Sequence, residues 1–335
     1  MGASHQVDGH YAELRGNMLR LILCTVALVA ATAAGAQTWP TRPIQLVVPY
    51  APGGVVDFIG RTLGQRLSAQ VGQPVVIDNR PGAGGMVGIE YTARAAADGQ
   101  TMVIMDPAVV INPVLQEKPL YDLKDLATVS VVGSSPLVLT VNPNLPVTDV
   151  AQLVQYARAN PGKLNFASAG IGTTPHMAGE LLKARAGIDM AHVPYKGAGP
   201  AMADLAAGQV QVGFSSITGA LPFIKDGRLR ALATSGPQRS SALPDVPTMI
   251  DAGYPGFEVD LWLGVFAPVN TPAAVLARLN SEISAALKDP TVMAAFAKVG
   301  VDPRVTALED SARFVRAESG KWAAVVRDAG LKQAR

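Results

Sequence analysis

Two glycine-bearing turns are the segments of this chain whose residue types and spacing point to chemistry. One is Pro49-Tyr50-Ala51-Pro52-Gly53-Gly54 and the other is Ser168-Ala169-Gly170-Ile171-Gly172-Thr173-Thr174-Pro175-His176. Each follows a short apolar run, 44–48 and 164–167, and each leads into a helical segment. A glycine turn at a helix start lets bare backbone N–H groups, at the positive end of the helix dipole, face an anion. Two such turns in separate parts of one chain suggest two jaws closing on a single small anion.

Individual side chains in and around these turns have a ligand reading and a structural one. Asp57 falls in the first turn of the helix after Gly54, where it either complements the dipole or meets the ligand through a donor or water. Tyr50 is either a cleft wall or a packed aromatic. Ser168, Thr173 and Thr174 bring hydroxyls, and Gly170 and Gly172 permit close backbone approach. Thr174-Pro175 reads as N-cap and N1, which places His176 at N2, facing an anion or tied into local structure. Tyr195-Lys196-Gly197 lies at another strand-to-helix junction, where Lys196 either steers anions or is solvated. Ser215 ends a further strand-like run, at the position where ligands of α/β sheets collect.

Catalytic and nucleotide-binding patterns are missing. The sequence contains neither H-E-x-x-H, G-x-S-x-G nor G-x-x-x-x-G-K-[ST]. Gly82-Ala83-Gly84-Gly85-Met86-Val87-Gly88 has Val87 where a dinucleotide fingerprint needs its third glycine, so it reads as a tight strand-to-helix turn. No nucleophile–base pair is evident, and neither a metal nor a cofactor is expected.

The elements that must position these residues alternate between strand and helix, the pattern of an α/β protein with largely parallel sheets. Strand-like runs at 44–48, 75–77 and 101–105 interleave with helices at 55–70 and 86–97. The pattern restarts with helices at 150–159, 177–186, 200–207 and 220–225, and strands at 164–167, around 193, at 210–214 and at 229–234. Two long apolar stretches, 129–141 and 258–267, can cross between the two units. Thr271-Pro272 reads as N-cap and N1 of a helix whose Leu276, Leu279, Ile283 and Leu287 share a face, and helices at 290–299 and 308–329 follow.

Bulk properties narrow the class. The 335 residues carry a formal charge of +2 and are 49% hydrophobic, ample for a core but too balanced for a nucleic-acid binder. Residues 21–31 are apolar apart from Thr25, and Ala34-Gly35-Ala36 is an A-x-A site, so 1–36 reads as a cleaved signal peptide. Met18 is a candidate true start. Cleavage removes Cys24, the only cysteine, and bulky Leu23 before it argues against a lipid anchor.

The ordered blocks Pro43-Ile44 to Gly54 with Asp57, Asn79-Arg80-Pro81-Gly82-Ala83-Gly84-Gly85, Ile111-Asn112-Pro113 and Asn160-Pro161-Gly162-Lys163-Leu164 resemble one family. Residues 168–176, His192-Val193-Pro194-Tyr195-Lys196-Gly197 and 242–248 extend the match over essentially all of the chain after 36. That family is the tripartite tricarboxylate transporter solute-binding family, also called the Bordetella uptake gene or TctC-like family. The resemblance implies an α/β type II periplasmic binding protein, with two α/β lobes joined by two crossing strands around a ligand cleft. Lobe 1 is expected at 37–138 plus 259–335 and lobe 2 at 139–258.

The resemblance also implies a monomeric periplasmic protein that hands a small carboxylate to a membrane permease of two further subunits. The loops matching 50–54 and 168–174 grip one carboxylate through backbone groups, hydroxyls and water. Two departures stand out: Asp106-Pro107-Ala108-Val109-Val110 is more apolar than the family's small polar stretch, and Ser215-Ser216 replaces a frequent Asp-Asn. Loss of that aspartate argues for a ligand without an amino group, with an uncharged or apolar distal part such as that of an aromatic or short aliphatic acid. A sensor feeding a signalling partner and a hydrolase using His176 with a serine are the rival readings.

Overall fold

The computed structural model describes residues 39–328, 330 and 331. The signal-peptide expectation for 1–36, with Cys24 and Met18, lies outside them. Residues Met1–Thr41 form one unit, described only at 39–41, and Arg42–Arg335 form another. The second unit contains everything that follows.

Its sheet is built on one long strand. The strands β1 (Ile44–Val48), β2 (Val75–Asn79) and β3 (Thr101–Met105) are mutually parallel in the order β2-β1-β3. β4 (Leu126–Val141) then runs the length of the sheet, followed by β5 (Asn165–Ser168), β6 (Ala191–Pro194), β7 (Val212–Ser216), β8 (Arg230–Thr234), β9 (Asp260–Pro268) and the short β10 (Asp302–Pro303). The order along the main path is β2-β1-β3-β9-β4-β7-β5-β6, with β8 and β10 also pairing β4. β1 and β3 are almost wholly buried apolar runs, as expected of parallel strands covered on both faces.

β4 changes partners halfway. Residues 126–136 pair with β9, and 137–141 pair with β7. Pro136 sits at the changeover, where a residue that cannot donate to a ladder costs least. Two register shifts in the first half, between Thr128 and Ser130 and between Val131 and Gly133, bend the strand there.

The register fixes where the strand ends point. Met105, the end of β3, lies opposite Gly264, which lies opposite Val131 of β4. Ser216, the end of β7, lies opposite Leu137, and β8 ends at Thr234 opposite Val138. Parallel strands of both sets therefore run inward and finish against the 131–138 stretch of β4. Crevices beyond the carboxyl ends of strands are where α/β sheets bind ligands.

Among the described residues, ten α-helices cover the sheet: α1 (Val55–Val71), α2 (Met86–Ala93), α3 (Ala108–Leu115), α4 (Val150–Ala159), α5 (Thr174–Ala186), α6 (Ala198–Ala207), α7 (Ile217–Lys225), α8 (Ala273–Leu287), α9 (Pro290–Lys298) and α10 (Leu308–Asp328). α1 shows the local logic: Val56, Ile59, Leu63 and Leu67 form its buried stripe, and Gly72 ends it in the left-handed conformation. Asp149 and Asp289 cap α4 and α9 through their side chains.

Three local expectations are corrected. α5 starts one residue earlier than its threonine–proline pair suggests: Thr173 is the N-cap, Thr174 N1 and Pro175 N2, so His176 stands at N3 rather than N2. α8 starts one residue later than expected, with Pro272 as its N-cap and Ala273 at N1, and the Thr271 hydroxyl turns back to donate to Pro268 O (2.8 Å). Residues 108–115, absent from the expected elements, form α3; its apolar run Ala108–Ile111 carries no helical periodicity because nearly every residue in it is buried.

Candidate functional site

The first glycine turn is held from beneath by Asp57. Its carboxylate accepts from Gly53 N–H (3.0 Å), Arg61 Nε (3.0 Å) and Asn79 Nδ2 (2.9 Å), and pairs with Arg61 Nη2 (2.9 Å). Burial opposes its ionisation, but those donors outweigh burial and hold the pKa below the ordinary carboxylate value. Asn79 Nδ2 also donates to Tyr50 O (3.0 Å). Asp57 is thus occupied in shaping the turn, while Ala51, Pro52, Gly53 and Gly54 lie exposed at its tip. Gly53 adopts φ +96°, open to glycine at little cost.

Tyr50 points its hydroxyl at Asp106, donating to Oδ2 at 3.0 Å, and Asp106 Oδ1 accepts from Ala108 N–H (2.9 Å). Burial raises the pKa of both groups, Tyr50 further through the Asp106 charge, so the phenol stays protonated and remains the donor. Asp106 was visible in the sequence only as an acid in an apolar stretch; its partner required the fold.

The second turn is pinned by two stacked histidines. His176 and His192 lie with ring centroids 4.0 Å apart at 28°, and Phe166 stacks on His192 at 4.8 Å. His176 Nδ1 accepts from Gly172 N–H (3.2 Å), which leaves its proton on Nε2. Nε2 is 4.0 Å from Glu180 Oε1, but both Glu180 oxygens are taken by Lys183, at 3.1 and 3.0 Å. Burial first, then the neighbouring His192 and Lys183, lowers the His176 pKa to about 3. Burial and Lys183 lower that of His192 to about 4. Both imidazoles are neutral at pH 7. The structure thus ties His176 into the turn from behind.

Ser168 joins this arrangement. Its Oγ lies 2.7 Å from His192 Nε2, accepts from Gly170 N–H (3.1 Å) and donates to Gly170 O (3.0 Å). A serine–histidine pair therefore exists, where the sequence made none evident, and it uses His192 rather than His176. Ser168 is 1% exposed and its hydroxyl is enclosed by the turn it stabilises. Thr173 Oγ1 donates to the same Gly170 O at 2.7 Å.

Two hydroxyls remain. Thr174, at N1 of α5, is 0% exposed and Ser215, at the end of β7, is 6% exposed. Among the described residues neither Thr174 Oγ1 nor Ser215 Oγ has a hydrogen-bond partner. Thr174 follows β5 across the second turn, and Ser215 is the penultimate residue of β7, the parallel neighbour of β5. Buried hydroxyls are normally bonded, and Ser130 Oγ and Thr234 Oγ1 are the other buried hydroxyls among the described residues without a partner. Tyr195, by contrast, donates to Asp204 Oδ2 (2.8 Å), and Lys196 is exposed beside it.

Asn112 entered the sequence reading only as part of the Ile111-Asn112-Pro113 block, with no role assigned. It is 2% exposed on α3, its Nδ2 donates to Gly84 O (3.0 Å), and its Oδ1 packs against Gly172. Gly82–Gly85 belongs to a 3₁₀ turn between β2 and α2, with positive φ at Gly82, Ala83, Gly84 and Gly85. No group of three or more His, Cys, Asp or Glu able to hold a metal occurs among the described residues. Nor is any helix among them long and apolar enough to cross a membrane.

Comparison with known proteins adds independent findings. Residues 59–331 match the family described as tripartite tricarboxylate transporter family receptor. The chain is 39% identical over 324 residues to Protein BugT of Bordetella pertussis, covering 94% of this chain and 99% of that one. Rpa4515 of R. palustris, solved with adipate, is 36% identical with a TM-score of 0.79, covering 88% of this chain and 99% of that chain. MatC of Rhodopseudomonas palustris, with bound malate, is 32% identical with a TM-score of 0.76, covering 86% and 100%.

Proposed function

The chain belongs to the tripartite tricarboxylate transporter receptor family, and from that premise we propose that it captures a small carboxylate lacking an amino group. It does so in the periplasm, after removal of 1–36, and passes the ligand as a monomer to a membrane permease of two further subunits. The lobes are 37–138 plus 259–335 and 139–258, hinged on β4 and β9. The turn at Tyr50–Gly54 and the turn at Ser168–Thr174 hold one carboxylate between them. Lobe closure excludes water, which strengthens every donor aimed at the anion.

One observation carries this reading: the buried, unpartnered hydroxyls of Thr174, at the start of the helix after β5, and Ser215, near the end of the adjoining strand β7. Thr174 adds a hydroxyl to the N-terminus of a 13-residue helix, whose dipole favours an anion. Ser215 supplies a neutral group where an acid would be needed to bind an ammonium. The adipate and malate held by the two relatives are acids without an amine, which supports the same class here. In this function the serine–histidine pair shapes the turn and performs no turnover.

Calorimetry with adipate, malate, aspartate and glutamate tests the proposal. Amine-free acids are expected to bind and the amino acids to bind far more weakly. Thr174→Val and Ser215→Ala should each weaken binding about fivefold or more, the equivalent of one hydrogen bond of ~1 kcal/mol. Aspartate or glutamate binding far tighter than the amine-free acids would overturn the reading.

A further inference from the structure

A third glycine turn, Gly82–Gly85, approaches the Gly170–Gly172 turn, and one side chain lies between them. Gly84 and Asn112 come from the β1–β3 end of the sheet, Ile171 and Gly172 from the β5–β7 end. Asn112 Nδ2 donates to Gly84 O at 3.0 Å. Its Oδ1 faces Gly172 so closely that a Cβ built there would stand 2.7 Å from it, with Leu115 Cδ2 at 3.3 Å. A Cβ on Gly84 would stand 3.9 Å from Ile171 O, so the two turns themselves nearly touch. Asn112 is 2% exposed although its neighbours on one side belong to the opposite end of the sheet.

We propose that Asn112 is a positioning residue for ligand retention: it clips the Gly82–Gly85 turn to the Gly170–Gly172 turn and so holds the cleft closed. The inference rests on reading that cleft as a carboxylate site that closes. The clip acts on the ligand through the second turn. Gly172 donates its N–H to His176, and Gly170 and Thr174, two residues to either side of it, belong to the turn read as the anion site. Gly172 is required twice over, by φ +76° and by the amide oxygen in front of it. Nδ2 is bonded to Gly84 O and thereby seats the side chain so that Oδ1 packs against Gly172, whose own N–H goes to His176, so the contact between the two turns is one of packing.

The test is a distance measurement between the two ends by pulsed electron paramagnetic resonance. Spin labels go at Glu117→Cys, just beyond α3, and Ala184→Cys, on α5, in a Cys24→Ser background; both sites are exposed. A short-distance population is expected in the ligand-free protein. Asn112→Ala should lower the ratio of short to long distances severalfold by removing the packing against Gly172, with Asn112→Asp lower than the parent because it loses the Gly84 bond that seats the side chain. Gly172→Ala should lower it as well, because its Cβ meets Asn112. The backbone strain of Gly172→Ala is common to both backgrounds, so in an Asn112→Ala background it should cost less than in the parent. A parent with no short population, Asn112→Ala without effect, or strictly additive effects would each overturn the clip. If Gly172→Ala fails to fold, the two Asn112 variants decide alone. Calorimetry with adipate and malate on the same proteins separates the premises: no heat from either acid with the distances as expected overturns the ligand reading and leaves the clip standing.

Discussion

At the scale of residues, most side chains around the cleft bind the protein rather than solvent. Asp57, Ser168, His176 and His192 spend their polar atoms on the two turns. Rigidity of this kind limits the entropy lost when a ligand is captured. Steric limits act at single atoms too. Gly300 has φ +66°, and a Cβ built on it would overlap Thr218 Oγ1 at the start of α7. Gly300→Ala should therefore cost about 1–3 kcal/mol of stability through overpacking and strain. Urea unfolding checks this, and Thr218→Ala should recover the steric part of the loss while leaving the φ strain.

At the scale of elements, the turn before α5 depends on two imidazoles that must stay neutral. An unfolded histidine titrates near 6.5, whereas His176 and His192 in the fold titrate at about 3 and about 4. Between those values the unfolded chain binds more protons than the folded one. Stability contributed by the pair is thus complete above about pH 6.5 and is lost as pH falls toward 4 and then 3. Thermal melts between pH 7 and 4 should show Tm falling with pH, and His176→Gln should make that fall shallower. An unchanged slope would mean the pair is not the titrating element. The same element-level reasoning explains α3: its burial erased the periodicity that reveals helices, so no reading of 108–115 by pattern could find it.

At the scale of the whole molecule, β4 is shared by both ends of the sheet, and this bears on how it unfolds. β9 pairs one half of β4 while β7 and β8 pair the other, so neither end keeps its sheet intact without the common strand. Ser235 ties the crossing region further, accepting from Leu137 N–H (2.8 Å) and donating to Val259 O (2.5 Å). One cooperative transition is expected. Trp262 on β9 and Trp322 on α10 are buried and both donate to Glu318 Oε2, at 2.9 and 3.2 Å, so they report on one end. Tryptophan fluorescence and far-UV circular dichroism should give coincident urea midpoints; a fluorescence transition separated from the dichroism would show that the ends melt apart.

The alternation of apolar runs and helical segments, the glycine turns and the family resemblance were legible in the sequence because each is a local signal: side-chain periodicity, backbone permission at glycine, capping chemistry. β1, β3 and α4 took the bounds expected of them, since short buried strands and capped helices are specified by their own residues. What only the tertiary structure decided was which polar atoms find one another across long stretches of chain. Tyr50 with Asp106, Ser168 with His192 and Asn112 with Gly84 are pairs between distant segments. The same long-range accounting left Thr174 and Ser215 without protein partners. Such bonds depend on how separate elements are set side by side, β1 with β3 and β5 with β6, and no residue's own sequence neighbourhood carries that information.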